Sequence, residues 1–68
     1  MSSLEVLDGD EERWAEALMV ERLHGASAPV HAAERIGACA LLGDMAGVER
    51  WREIARRLGQ LMRARGPR

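Results

Sequence analysis

Between Ala26 and Met45 the chain carries only three formal charges, Glu34, Arg35 and Asp44, whereas the segments on either side are crowded with them. The pattern predicts three helices. In the first, near 10–24, Asp10 stands as N-cap before Glu11 and Glu12. Trp14, Ala15, Leu18, Met19 and Leu23 recur at about 100° per residue as its main apolar stripe, with Ala17 and Val20 as a weaker second contact side. Gly25 is a natural stop. Pro29 suits the first turn of a second helix, 28–42, capped by Ser27 or Ala28. The densest side of that helix joins Ala32, Ala33, Ile36 and Ala40. Gly37 beside them costs about 1 kcal/mol against alanine, which points to a narrow helix crossing.

Gly43 ends the second helix and Asp44 caps the third, near 44–64, so the two form a tight hairpin. Val48, Trp51, Ile54, Ala55, Leu58, Leu61 and Met62 make one broad stripe there. Glu49, Arg52, Glu53, Arg56, Arg57, Gln60 and Arg63 lie opposite, with Glu53 and Arg57 spaced for an ion pair. Gly59 is a weak point in this helix. Residues 1–9 read as a flexible acidic leader, 10–64 as a single three-helix domain, and 65–68 as a frayed Arg-containing tail.

His31, Glu34 and Arg35 polarise one side of the first half of the second helix, but Ala38, Leu42 and Met45 continue that side without a polar group. A helix apolar all round must be covered, and a chain of 68 residues has little mass with which to cover it. The expected fold is therefore all-α, a small three-helix domain completed by dimerisation. Its candidate interface is Ala38, Leu41, Leu42 and Met45.

Composition narrows the chemistry. Lys, Phe, Tyr, Thr and Asn are absent, so there is no Schiff-base nucleophile, and only Trp14 and Trp51 could stack on a base or cofactor. Both tryptophans sit on main stripes and are expected in the core. Cys39 is alone and flanked by alanines, so a buried reduced thiol in a cytoplasmic setting is expected. The first 24 residues are acidic and lack the apolar core of a signal peptide. The longest uncharged apolar run, Ile36 to Leu42, falls far short of the ~20 residues a membrane span needs.

Charge is segregated along the chain: residues 1–24 hold seven acids and two arginines, and residues 49–68 hold seven arginines and two acids. Arg52, Arg56, Arg57 and Arg63 form a candidate phosphate-contacting face. Against that reading, the net charge is −1, and the opposed ends of the chain can attract one another within or between subunits. The first turns of the third helix, Met45 to Glu49, also offer no base-reading Arg, Asn or Gln. His24, His31 and Cys39 match no standard metal-ligand spacing, so His24 is assigned to a helix C-terminus and His31 to the solvent side of the second helix. Ser2, Ser3 and Ser27 have no evident base or orienting acid, and no catalytic, cofactor or metal residue is expected.

The stretches Glu12 to Leu18, Val20 to Arg22 with His24 and Gly25, Ala33 to Ile36, and Gly43-Asp44 through Gly47-Val48, Trp51 and Ile54-Ala55 resemble a family of short alphaproteobacterial proteins classed as a domain of unknown function. The likeness spans about residues 11–62 and implies a bacterial cytoplasmic protein, with no catalytic or binding residue to carry over. The reading favoured is a helical protein-interaction or regulatory module, not an enzyme, acting as a homodimer with another protein as a further candidate partner, and with no membrane or small-molecule partner. A nucleic-acid-binding regulator using the third helix is the alternative.

Overall fold

A computed structural model describes residues 9–66. The expected leader, apart from Gly9, and the last two residues of the tail lie outside the described residues. Three α-helices follow one another: α1 (Gly9–His24), α2 (Ala28–Leu41) and α3 (Met45–Ala64), with a 3-10 turn, Gly25–Ser27, between the first two. No strand occurs among the described residues. The helix boundaries agree with the sequence pattern to within one residue. Gly9 belongs to α1 rather than to a leader, so Asp10 lies inside the first turn instead of capping it. Ser27 makes no side-chain cap hydrogen bond to α2, whose start rests on Pro29 in its first turn.

The hairpin between α2 and α3 has a defined chemistry. Gly43 takes φ +74°, a left-handed conformation that costs glycine nothing. Its N–H donates to the Ala40 carbonyl at 3.0 Å, and the Asp44 N–H donates to the Cys39 carbonyl at 2.9 Å. That pair of bonds is a Schellman closure, which satisfies carbonyls the helix end would otherwise leave open. One residue on, the Asp44 carboxylate accepts from the Gly47 N–H at 2.9 Å and caps α3. Asp44→Ala is expected to cost about 1 kcal/mol in a urea melt, and Asp44→Asn much less, because Asn keeps the acceptor.

The core lies where α1 and α2 both pack on α3. Ala17 and Val20 of α1 and Ala28 and Ala32 of α2 close over Ile54 and Leu58, with Trp51, Ala55 and Leu61 packed at the edge. Small side chains on two helices let the backbones come near enough to bury two large aliphatic ones on the third. The α3 stripe is as expected, and Cys39 is buried on α2.

Two expected packing sides are corrected. On α1 the buried residues are Ala17 and Val20, whereas Leu18, Met19 and Leu23 of the expected stripe are exposed. On α2 the buried line is Ala28, Ala32 and Cys39; Ala33, Gly37 and Ala40 face outward. In both helices a line of smaller residues won, because a close crossing needs small side chains at the contact. Gly37 does not mark such a crossing within the chain: a Cβ placed there meets nothing within 4 Å. Gly47 does, with Cys39 Sγ only 2.8 Å from where its Cβ would stand.

Ion pairs fix how α1 sits. Asp10 pairs with Arg57, Arg13 with Glu53 at 2.8 Å, Glu16 with Arg50 at 3.0 Å and Glu21 with Arg65 at 2.8 Å. From Asp10 to Glu16 along α1 the partners run back along α3 from Arg57 to Arg50, an antiparallel order, while Glu21 reaches Arg65 just past the end of α3. The expected bond between Glu53 and Arg57 is absent because each turns to α1 instead. Hydrogen bonding and charge from Glu16 raise the Arg50 guanidinium above its ordinary pKa, and Glu21 does the same for Arg65.

Candidate interaction surface

The end of the α2–α3 hairpin carries the two most exposed large apolar side chains among the described residues, with Leu23 at the end of α1 next at 70%. Leu41 is 90%, Leu42 83% and Met45 61% exposed, with Ala38 half-buried beside them on α2. Their position follows from the closure itself: Gly43 and Asp44 reverse the chain, and Leu41, Leu42 and Met45 flank that reversal. Asp44 is the one charge at this tip, and its carboxylate is engaged by the Gly47 N–H. The apolar cap thus lies within five residues of sequence and carries one charge, that of Asp44. Val30, at the other end of α2, is 59% exposed.

The arginine face divides. Arg52, Arg56 and Arg63 are exposed along one side of α3, with Arg52 loosely paired to Glu49 at 3.9 Å. Arg57 leaves that row: it is half-buried, bonded to Asp10, and its guanidinium lies 5.6 Å from the centre of the Trp14 ring. Arg13, Arg50 and Arg65 are likewise taken up by acids. The charge segregation along the sequence is therefore largely a contact between α1 and α3 within one chain.

Two features were not legible as sites in the sequence. A cleft of about 310 Å³ between α1 and α3 is lined by Ala15, Met19, Val20, Trp51 and Ile54, with Glu16 and Arg50 among its walls. Met19, expected on the packed stripe, lines this cleft and is exposed instead. The second feature corrects the placement of His31, which is half-buried rather than on the solvent side. Its ring stacks on His24 at 3.9 Å between centroids and meets the edge of Trp51 at 5.5 Å. The Arg35 guanidinium lies 5.9 Å from the Trp51 ring centre. Both tryptophans are half-buried and neither is enclosed: Trp51 packs at the edge of the core, and Trp14 is held by Arg57.

Among the described residues no three His, Cys, Asp or Glu side chains are placed to hold a metal ion, and no helix is long and apolar enough to cross a membrane. No curated protein and no solved structure matches the chain. The model of a family of unknown function, DUF6961, matches residues 9–65, which takes in all three helices and their ion-paired arginines. The chain belongs to that family.

Proposed function

We propose that this protein is a small helical protein-interaction or regulatory module that acts as a homodimer. The observation that carries the reading is the cap of Leu41, Leu42 and Met45, three large apolar side chains held in water by a well-closed hairpin. Exposing them costs free energy that a partner surface recovers, and a second copy is always present at the same concentration. A single buried thiol, Cys39, fits a reducing compartment and supports a cytoplasmic setting.

Sedimentation over a range of concentrations tests the assembly. The chain is expected to pass from monomer to dimer in the micromolar range. Leu42→Glu is expected to weaken association at least about tenfold, since it places a charge in apolar contact, while Gln60→Glu on the exposed side of α3 leaves it unchanged. A monomer at every concentration, or equal behaviour of the two variants, overturns the reading.

The nucleic-acid alternative keeps Arg52, Arg56 and Arg63, exposed in one row, but loses Arg57 to Asp10. Duplex DNA binding that falls steeply with salt, and that is lost on replacing those three arginines, would favour it.

A further inference from the structure

We propose that His24 and His31 form a pH-sensitive latch, which holds the end of α1 to the start of α2 near neutral pH and releases it in mild acid. His24 is the last residue of α1 and His31 lies near the start of α2, with the turn Gly25–Ser27 between the two helices. The two half-buried rings lie almost face to face, 3.9 Å between centroids and 16° between planes. The His31 ring also meets the edge of Trp51, so one small cluster joins all three helices. It stands whether or not the chain self-associates.

The stack tolerates one charge and not two. A neutral ring can lie over a protonated one much as an aromatic face receives a cation. A proton on each ring instead sets two like charges about 4 Å apart in a half-buried place, where water screens them poorly.

Nothing around the pair offsets that second charge. On α1, Glu21 is bonded to Arg65, and Arg22 adds a cation to the same last turn as His24. The Gly25–Ser27 turn carries no ionisable side chain. On α2, Arg35 follows His31 by one turn and lies 5.9 Å from the Trp51 ring centre, and Glu34 is exposed. On α3, the charged residues flanking Trp51 are turned to acids, Arg50 to Glu16 and Arg52 to Glu49. Among the described residues neither histidine pairs with a carboxylate. The C-terminal end of α1 favours a cation at His24, whereas the N-terminal end of α2 opposes one at His31.

Release is local. The first half of α1 stays tied to α3 through Asp10, Arg13 and Glu16, and carboxylates lose their charge only in stronger acid than that in which histidines gain theirs. Gly25, at φ +56°, supplies the hinge between the helices. Opening there uncovers Trp51, which forms a wall of the cleft between α1 and α3. The stabilisation is complete above the range in which histidine takes up a proton and is lost as the pH falls through it, because the unfolded chain accepts both protons freely.

Proton NMR tests the latch directly. A through-space signal between the two imidazole rings is expected at about pH 7.5 and should vanish by about pH 5.5, while the methyl signals of Ile54 and Leu58 keep their native positions. In urea melts over the same interval, the unfolding constant of the chain should rise at least about tenfold more than that of His24→Gln or His31→Gln, since each variant leaves one ring and no like-charge pair. A ring-to-ring signal that is missing at both pH values or survives at both overturns the latch, as does equal pH dependence of the chain and the two variants. Loss of the native Ile54 and Leu58 signals together with the ring contact assigns the change to general acid unfolding and overturns it too.

Discussion

Leu58→Ala is expected to leave the isolated chain largely unfolded or close to it. Leu58 is fully buried, at 0% exposure, where α1 and α2 meet over α3. Its neighbours include Ala17, Ala28 and Ala32, which are already as small as a side chain with a Cβ can be and cannot extend to fill the space. The cost should therefore fall in the range of about 2–5 kcal/mol found when a buried leucine is cut to alanine with little relaxation. A chain of 68 residues has a total stability of roughly 3–10 kcal/mol, so this one truncation removes about half of it at mid-range. Urea melts followed by circular dichroism check the outcome. A loss under about 1 kcal/mol would mean that Leu58 does not sit at the junction of the three helices.

Gly47→Val should be the next most damaging change, at about 2–3 kcal/mol. A Cβ at Gly47 would stand 2.8 Å from Cys39 Sγ and also press on the Asp44 carboxylate. Asp44 can swing away, but it then gives up the hydrogen bond that caps α3. Cys39 is buried on α2 and cannot swing, so α2 and α3 must separate at the hairpin. The contrast is Gly59→Ala. A Cβ there meets only the end of the flexible Arg63 side chain at 3.4 Å, and the helix gains up to about 1 kcal/mol of propensity. Opposite signs for the two glycines of α3, read in the same melt, are the expected result. Equal signs would show that the tight contact at the hairpin is not formed.

The ion pairs between α1 and α3 define orientation more than they add stability. Arg50 and Arg65 are exposed, and water screens pairs of that kind so that each contributes little. They join an acidic α1 to a basic α3, with Asp10, Arg13, Glu16 and Glu21 all paired in the arrangement that turns Ala17 and Val20 inward.

Local chemistry determined a great deal here. Gly25 and Gly43, Pro29 and the Asp44 cap set the three helices to within a residue, because turn and cap preferences act on the backbone over a few positions and need no distant partner. The α3 stripe was equally legible, since its apolar and charged residues separate cleanly around the helix, and so was the exposure of Leu41, Leu42 and Met45 at the turn. Only the tertiary structure decided which sides of α1 and α2 are buried, that Arg57 leaves the arginine row, and that His31 stacks on His24. On α1 and α2 apolar residues occur on more than one side, so spacing offered competing faces. The choice between them depends on how near another helix can come and which charges wait there, and neither is a property of the segment taken alone.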